Sequence, residues 1–400
     1  MNKVLIIARY FGSRIPGLLK NLPEFGWQPV LLTTSLPLDS GIPTDISVIE
    51  SGSRKEGYFA PASGRSIFDR ILACGGEIVN YPDSYKGWKN PATRAANKLL
   101  KTEKIDAIIS SSSPVTSHLI ARELIRKHRI PWIADLRDPW SQNHNYYYSS
   151  LRKKFDKRLE LKTLAEADTL VTVSQPWADK LAVLHKGKTV AAITNGFDAE
   201  QMKAVSPGMK PGFTITYTGN IYRGKQNPGR LFSALRDLIA EDSIDKADIK
   251  VRFYGPRLDW LEKEIIDHTL SDIVKQYGMV SPQESIEKQK ESQLLLLLDW
   301  EDSTEKGVCP LKTFEYLGAQ RPILAIGGVE RNVVDLVLDR TKAGIHAITN
   351  KNISEALKHF YQEYKQMEQL PYHGITEEIN KYTQRRMTGE FVEILQRFVE

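Results

Sequence analysis

Two cations follow the first strand-like run in the second half of the chain. The run FTITYTG (213–219) ends in a glycine, and the loop NIYRGKQNP (220–228) after it contains Arg223 and Lys225 but no acidic residue. Arginine forks and lysine point charges both bind phosphate groups, and Gly219 allows close approach of the backbone to a ligand. Two cations without an acid in their own loop therefore predict a diphosphate-binding loop.

A second pair of charged residues lies in a short segment bounded by two prolines. In PLKTFEYLGAQRP (310–322), Lys312 and Glu315 are three residues apart and so share one face of a helix. A surface ion pair is the simpler interpretation, and contact with a ligand is the alternative. The same spacing predicts one buried apolar stripe, formed by Leu311, Phe314 and Leu317.

The turn after the first strand-like run of the chain is a further candidate. In ARYFGSRIPG (8–17), Gly12 and Ser13 offer backbone N–H groups where a strand passes into a helix, a geometry that binds anions. Arg14 adds a positive charge. The turn lacks the G-x-G-x-x-G pattern, so dinucleotide binding is not favoured, and an ordinary strand-to-helix turn is the alternative.

Acidic and hydroxyl side chains follow two other strands of the first half. The segment ADLRDPW (134–140) places Asp135, Arg137 and Asp138 at or just past a strand end. Because half-buried carboxylates are costly unless paired, Arg137 is expected to neutralise one of them, and Asp138 is the candidate to face a substrate. The hydroxyls of SSSSP (110–114) predict either hydrogen bonds to a sugar or capping of the next helix.

Two further strand ends lie in the second half of the chain. RFYGPRLDW (252–260) contains Tyr254, and YGMVSPQES (277–285) contains Met279 and Val280. The latter has the pattern of a strand, a turn and a helix start, and its backbone groups could hold a nucleobase. A structural turn without a ligand is the alternative.

The elements that position these residues alternate along the chain. Short apolar runs alternate with helical patterns, the signature of parallel sheets covered on both faces, and this rhythm restarts after AVSPGMKPG (204–212). The fold class is therefore α/β, with two doubly wound domains. Since ligands bind at the carboxyl ends of strands in such sheets, we expect the site in the cleft between the domains. The predicted strands are 4–8, 29–34, 107–110, 131–136, 169–174, 213–219, 249–255, 294–300 and 322–328.

Composition restricts the classes of partner. No window approaches the roughly 18 apolar residues that would span a bilayer, and Cys74 and Cys309 give neither a disulfide framework nor metal-ligand spacing. Residues 1–200 hold 28 Lys and Arg against 20 Asp and Glu, whereas the other 200 hold 27 against 29. A basic half suggests an anionic partner. The chain shows no nucleic-acid-binding motif, so nucleic acid is not expected, and an anionic membrane surface is at least as well favoured.

Five short motifs in this order resemble a GT-B-fold glycosyltransferase of the large retaining family 4. The resemblance covers nearly the whole chain, and the motifs are specific in their order and spacing rather than singly. They are RDPW (137–140), TVSQP (172–176), TNGFD (194–198), the G-N-x-x-x-x-K loop at 219–225 and P-x-K-x-x-E-Y-L-x-x-x-x-P at 310–322.

The resemblance implies roles for these residues. In similar enzymes the helix that begins near Pro310 directs its N-terminus at the diphosphate of a nucleotide sugar, and a glutamate at the position of Glu315 holds the ribose hydroxyls. Lys312 would then face phosphate, and catalysis is assigned to Asp138, Arg223 and Lys225 without a metal or a cofactor. The implied donor-binding residues are Gly12, Arg14, Gly219, Asn220, Arg223, Lys225, Tyr254, Met279, Val280, Lys312 and Glu315.

The resemblance also implies a division of labour between two Rossmann-like domains that face a central cleft. Residues 1–200 would bind the acceptor, residues 201–384 would bind the donor, and the last helix (385–400) would return to the first domain. One position departs from the family pattern, because Gly307 stands where most members have a further glutamate. Retention or inversion of the anomeric centre is therefore left open.

The function that follows is transfer of a sugar from a nucleotide-diphosphate sugar to a glycan or lipid-linked acceptor of a cell-surface polysaccharide. The segment 146–162 combines tyrosines with a basic helix, which is typical of a helix that lies on anionic lipid. A solvated helix face without a partner is the alternative. We therefore expect a cytoplasmic enzyme that is peripheral on the inner face of the membrane. The alternatives are a nucleotide-sugar epimerase of the same fold and a non-catalytic nucleotide-sugar-binding protein.

Overall fold

The computed structural model describes residues 1–9, 12–36, 41–52, 79–146 and 148–399. Cys74 and Tyr147, which entered the sequence predictions, lie outside these residues. The chain divides into a first unit, Met1–Thr194 with Gln384–Glu400, and a second unit, Asn195–Thr383. In the described residues, no helix has the length and apolar character needed to cross a membrane.

Each unit is built on one parallel sheet. The described strands of the first unit are ordered β3-β2-β1-β4-β5-β6-β7, and those of the second unit β10-β9-β8-β11-β12-β13. The strands are β1 (Asn2–Ile7), β2 (Trp27–Thr33), β3 (Ser47–Glu50), β4 (Ala107–Ser112), β5 (Trp132–Leu136), β6 (Thr169–Thr172), β7 (Thr189–Ala192), β8 (Phe213–Thr218), β9 (Ile249–Tyr254), β10 (Val274–Gly278), β11 (Leu294–Leu298), β12 (Ile323–Ile326) and β13 (Gly344–Ala347).

Helices connect the strands. The α-helices are α1 (Arg14–Asn21), α2 (Lys89–Leu99), α3 (Thr116–His128), α4 (Ser150–Leu164), α5 (Gln175–Leu184), α6 (Ala199–Ala204), α7 (Gly229–Ala240), α8 (Asp259–Asp267), α9 (Pro282–Lys290), α10 (Leu311–Ala319), α11 (Val333–Thr341), α12 (Asn350–Met367), α13 (Thr376–Asn380) and α14 (Gln384–Gln396). Short 3-10 helices span Leu22–Phe25, Lys86–Trp88 and Lys246–Asp248. In both units the central strands read 3-2-1-4-5-6 in their own chain order, the doubly wound topology. The predicted α/β fold of two Rossmann-like domains is therefore confirmed.

The central strand of the first unit shows why its sequence is a continuous apolar run. Val4 and Ile6 pack on one side of the sheet, in a cluster that includes residues of α1 and α14. Leu5 and Ile7 pack on the opposite side with residues of α2 and α3. A strand covered on both faces has no solvent side, so its side chains do not alternate between apolar and polar.

The last helix belongs to the first unit. Phe391 is fully buried among residues of β1 and α1, and Thr388 Oγ1 lies 3.3 Å from the carbonyl oxygen of Gly17. The approach is close, because a Cβ atom at Gly17 would lie 2.9 Å from the side chain of Gln384. Gly17 therefore allows α1 and α14 to pack together.

The second unit buries its central leucine run in the same way. Leu294, Leu296 and Leu298 of β11 pack in a cluster with residues of α7 and α12. Leu295 and Leu297 pack on the other side with residues of α10. The core thus fixes α10 against β11. This strand lies beside β8, which leads into the predicted diphosphate-binding loop (220–228).

Candidate functional site

Gly219 directly follows β8, and at this residue the predicted diphosphate-binding loop lies against helix α10. Its φ of +129° is one that L side chains rarely adopt, and a Cβ atom there would lie 3.0 Å from Lys312 Cε. Its amide donates a hydrogen bond to the carbonyl oxygen of Tyr254, at 2.7 Å. A glycine is therefore required where the lysine side chain crosses the strand end, and the loop and α10 form one local structure.

Lys312 and Glu315 form an ion pair on the first turns of α10, as the simpler interpretation of the sequence predicts. Lys312 Nζ lies 2.7 Å from Glu315 Oε2, and the two side chains are 25% and 33% exposed. Gln289 Nε2 lies 3.3 Å from the same carboxylate oxygen and 2.9 Å from Thr218 Oγ1. Both charged groups are thus held in place and still reachable from solvent, so the pairing does not exclude contact with a ligand.

The apolar stripe predicted for α10 is only partly correct. Phe314 and Leu317 are buried, but Leu311 is 41% exposed. Leu311 is the first residue of the helix, one turn before the residues that reach the core. Tyr316 is buried as well, and its hydroxyl accepts a hydrogen bond from the Thr218 amide at 3.0 Å, which ties α10 to the end of β8.

The two loop cations have different surroundings. Arg223 is exposed, with its guanidinium 5.7 Å from the ring centre of Trp260. Lys225 Nζ lies 3.7 Å from Asp302 Oδ2 and 5.6 Å from the ring centre of Trp300. The expectation that these cations have no acidic partner is therefore wrong for Lys225, because the acid comes from a segment remote in sequence.

The acidic segment 299–303 is a structural support for this loop. Hydrogen bonds from Thr304, and then the charge of Lys225, hold the pKa of Asp302 below its ordinary value. Glu301 Oε1 lies 3.2 Å from Arg230 Nε, and the Glu301 amide donates to the carbonyl oxygen of Lys225 at 2.8 Å. The segment thus fixes the backbone of the loop on one side.

The predicted nucleobase segment needs one correction. Tyr254 is 6% exposed and stacks on Tyr277 with ring centres 4.9 Å apart, and burial raises its pKa to about 12. Tyr277 is 48% exposed, so it, rather than Tyr254, presents an aromatic ring to solvent. Met279 is exposed and Val280 is partly exposed, and both are accessible to a ligand.

The predicted phosphate contact of Arg14 is contradicted by its burial. The residue is 1% exposed, its Nη2 lies 2.9 Å from Asp135 Oδ1, and its Nη1 donates to the carbonyl oxygen of Ile193 at 2.9 Å. The Arg14 guanidinium therefore holds together the ends of β5 and β7 rather than a ligand. Gly12, just before α1, is exposed with a φ of 50°.

Asp135 is consequently neutralised by Arg14 and not by Arg137. The Arg137 guanidinium donates to the backbone carbonyl oxygens of Ser112 and Ser113, at 2.8 and 3.4 Å. Asp138 is exposed and lines a pocket of about 210 Å³. Of the three charged residues in the RDPW region, the one predicted to face a substrate lines this pocket, and the other two do not.

The serines of the 110–114 segment divide between the core and this pocket. Ser110 Oγ lies 2.7 Å from His118 Nδ1, and Ser111 Oγ donates to Asp135 Oδ2 at 2.8 Å. Ser112 and Ser113 line the pocket. The first two serines therefore form hydrogen bonds with buried groups and cannot bind a sugar. Helix capping is not the role of the segment either, because Asp83 rather than a serine accepts the hydrogen bond of the Thr116 amide at the start of α3, at 2.8 Å.

His118, the histidine nearest to these serines, is a core residue. It is fully buried, and burial lowers its pKa to about 4. The imidazole is therefore neutral and enclosed in the core, out of reach of a substrate in the pocket.

Comparisons with known proteins agree with the fold. Residues 18–201 match the family model described as Glycosyltransferase Family 4, and no curated protein matches the chain. Sucrose-phosphate synthase from Thermosynechococcus elongatus is 11% identical, with a TM-score of 0.70 over 100% of this chain and 99% of that chain.

Two other solved structures have the same fold along nearly their whole length. The lipopolysaccharide outer core galactosyltransferase WaaB is 15% identical, with a TM-score of 0.55 over 97% of this chain and 98% of that chain. A structure from Listeria monocytogenes, assigned as a UDP-N-acetylglucosamine 2-epimerase, is 11% identical. Its TM-score is 0.58 over 100% of this chain and 96% of that chain. The fold is thus shared by transferases and an epimerase. Residues 18–201 match the model of glycosyltransferase family 4, and the whole chain has the GT-B-type pair of Rossmann-like domains, which confirms the resemblance that its motifs predict.

Proposed function

We propose that the protein transfers a sugar from a nucleotide-diphosphate sugar to a glycan or lipid-linked acceptor. The observation that carries this proposal is the local structure at Gly219, where Lys312 crosses the strand end and Glu315 stays accessible beside it. A diphosphate near Gly219 would meet Lys312, and a ribose one turn further along α10 would meet Glu315. Residues 195–383 would therefore bind the donor.

The chemistry needs stabilisation of a departing diphosphate and of an oxocarbenium-like sugar. Arg223, Lys225 and Lys312 supply preorganised positive charge for the first, the type of electrostatic stabilisation that lowers barriers most in enzymes. The leaving phosphate can itself take the proton of the acceptor hydroxyl, so no strong base is required. On the first unit, Asp138 lines the pocket that would receive the acceptor.

The departure at Gly307 bears on the stereochemistry. Glu305, the nearest acid, is buried and its Oε1 accepts a hydrogen bond from the Gly307 amide at 2.9 Å. It is thus engaged by the backbone and does not take the place of the missing glutamate. We propose retention on the basis of the remaining motif, and the anomeric configuration of the product, read by NMR, tests it.

The experiment that tests the function is a turnover screen. The purified protein is incubated with labelled nucleotide sugars that vary in base and in sugar, with and without membrane lipid extract or simple glycosides. Label in the lipid or glycoside fraction supports transfer. Conversion of the nucleotide sugar without an acceptor would instead support an epimerase. This is the alternative suggested by the fold that the chain shares with the Listeria structure. Binding without either reaction would leave a non-catalytic binding protein.

Removing either loop cation is expected to weaken nucleotide binding. Arg223→Ala and Lys225→Ala should each cost about 1–2 kcal/mol, less than a typical hydrogen bond to a charged group, because both side chains are partly solvated. Calorimetric titration with nucleoside diphosphates measures the effect. Arg236→Ala and Lys263→Ala, which remove exposed cations on α7 and α8, are the matched controls. Unchanged affinity in both loop variants would remove the assignment.

The basic segment of the first unit presents a mixed apolar and cationic surface. On α4, Leu151 and Phe155 are 64% and 55% exposed, and one helical turn separates them. Exposed cations flank them, namely Lys153, Lys154, Lys157, Arg158 and Lys162. Apolar side chains between lysines are what a helix on an anionic bilayer needs, and this surface supports the proposal of a peripheral enzyme with a lipid-linked acceptor.

One residue of this segment is excluded from the surface. Arg152 is buried, its Nε lies 3.1 Å from Asp156 Oδ2, and its guanidinium stacks on the rings of Tyr81 and Tyr148. Its expected contact with lipid is therefore contradicted, because its charge is used inside the unit.

Loss of the exposed cations is expected to abolish binding to anionic vesicles. Each Lys or Arg near such a surface contributes about 1 kcal/mol, so changing Lys153, Lys154, Lys157 and Arg158 to Gln should remove most of the binding. Sedimentation with phosphatidylserine vesicles at low and high salt measures it. The control variant changes Lys98, Lys101, Lys104 and Lys127, also exposed on the first unit. Equal, negligible binding by all three proteins would favour a soluble acceptor.

A further inference from the structure

The pocket beside Asp138 has aromatic and acidic side chains, but no cationic ones, in its described lining. It measures about 210 Å³, and its described lining residues include no Lys or Arg. Aromatic rings and carboxylates, together with serine hydroxyls and asparagine amides, surround it instead. The aromatic and acidic members are Trp140, Tyr146, Tyr148, Asp83, Asp138 and Asp156.

Two arginines close to the pocket, Arg152 and Arg137, donate their hydrogen bonds to residues that form its walls. Arg152 donates to Asp156 and to the carbonyl oxygen of Pro82, at 3.1 and 2.6 Å. Arg137 donates to the backbone carbonyl oxygens of the serine segment that forms one wall. Among the described lining residues, a phosphate in the pocket would therefore meet carboxylates and no Lys or Arg.

Three carboxylates line the pocket. Asp83 and Asp156 accept hydrogen bonds from neighbouring residues, whereas Asp138 is exposed. Asp83 accepts hydrogen bonds from the Thr116 amide and hydroxyl, both at 2.8 Å. Asp156 accepts one from the Tyr146 hydroxyl at 2.5 Å. Burial raises the pKa of both acids. Asp138 is exposed and is the carboxylate that a ligand reaches first.

We infer that this pocket binds one sugar ring of the acceptor that is uncharged or carries an amino group, and that it excludes a phosphorylated sugar. The inference rests on the proposed function and adds the chemical class of the acceptor. Hydroxyl and ammonium groups donate hydrogen bonds to carboxylates, and aromatic rings such as Tyr148 offer apolar faces to the C–H face of a sugar. The volume lies below the roughly 300–1,000 Å³ of pockets for drug-sized ligands, which fits one ring rather than an oligosaccharide.

Binding of small sugars without a donor tests the inference. Saturation-transfer difference NMR titrations are run with three series, based on glucose, galactose and mannose. Each series consists of the methyl glycoside, the 2-amino sugar and the 6-phosphate. We expect the methyl glycoside or the amino sugar of at least one series to bind at least about tenfold more tightly than its 6-phosphate, since two negative charges are added beside Asp138.

Two variants locate the binding. Tyr148→Ala should abolish the signal of the preferred sugar. Asp138→Asn should reduce the discrimination against the phosphate by at least about fivefold, the effect of one pair of unit charges at close range in water. Val183→Ala and Asp179→Asn, exposed positions of the same unit that do not line the pocket, should change neither. Circular dichroism of each variant checks its fold.

The results separate this inference from the proposed function. Phosphorylated sugars that bind as tightly as the others, binding that survives Tyr148→Ala, or the absence of binding in every series would overturn the inference, while nucleotide-sugar turnover could still be observed. Conversely, selective sugar binding in a protein that turns over no nucleotide sugar would retain the inference and reject the transferase.

Discussion

Asp135→Ala is expected to destabilise the first unit by about 3–5 kcal/mol, because it leaves the buried Arg14 guanidinium without its counter-charge. The pair is enclosed, with side chains 1% and 0% exposed, and Ser111 also donates to the carboxylate. A loss of this size is a large part of the free energy of unfolding of a typical domain. Five of the seven tryptophans lie in residues 1–194, so denaturation followed by tryptophan fluorescence reports mainly on this unit.

A double-mutant cycle separates the pair from its neighbours. Arg14→Met together with Asp135→Ala should cost less than the sum of the two single changes, because neither charge is then left alone in the core. Glu103→Ala, which breaks the exposed pair with Lys3, should stay within about 1 kcal/mol of the wild type. If Asp135→Ala unfolds at the wild-type denaturant concentration, Arg14 must have an alternative position, and its role as a ligand contact would have to be reconsidered.

Glu315→Gln is expected to lower nucleotide-sugar affinity and turnover by about 1.5–3 kcal/mol, the range for hydrogen bonds to a charged group. In energy terms this is roughly a ten- to hundredfold loss. The free energy of unfolding should change by no more than about 0.5 kcal/mol, as for a surface substitution, since the Glu315 side chain is one-third exposed. Turnover with the donor found in the screen and thermal unfolding measure the two quantities.

Two further variants decide what Glu315 does. Glu355→Gln changes a glutamate that also faces a lysine, Lys351, on α12, and should leave activity unaffected. Lys312→Gln removes the partner of Glu315 but keeps the carboxylate. A fully active Glu315→Gln enzyme would return the pair to a purely structural role, whereas loss of activity in both α10 variants agrees with separate contacts to ribose and phosphate.

The sequence predicts the sheets well because their signal is local. Runs such as the five leucines of β11 are typical of strands that are covered on both faces in a parallel sheet. Glycine directly after such a run, as at Gly219 after β8, marks the point where the strand ends. The family motifs place Lys312 and Glu315 on one helix, and the structure brings their side chains to 2.7 Å.

The errors concern pairings between residues distant in sequence. Arg14 and Asp135 are 121 residues apart, so a strand-end arginine looked like a ligand contact when its partner lay on another strand. Lys225, in the loop after β8, likewise pairs with Asp302, in the segment after β11. Tyr254 and Tyr277 both lie at the carboxyl ends of strands, β9 and β10. Only the tertiary structure shows which of the two rings is exposed. No periodicity in one segment contains this information.

The position of α14 has a consequence for synthesis. Met387 and Phe391 complete the cluster around Val4 and Ile6, yet they leave the ribosome after the whole of residues 195–383. Until then the nascent first unit has one apolar face of its sheet incompletely covered, a state prone to aggregation or chaperone binding. A chain that ends within the second unit therefore lacks α14, so neither unit can complete its core.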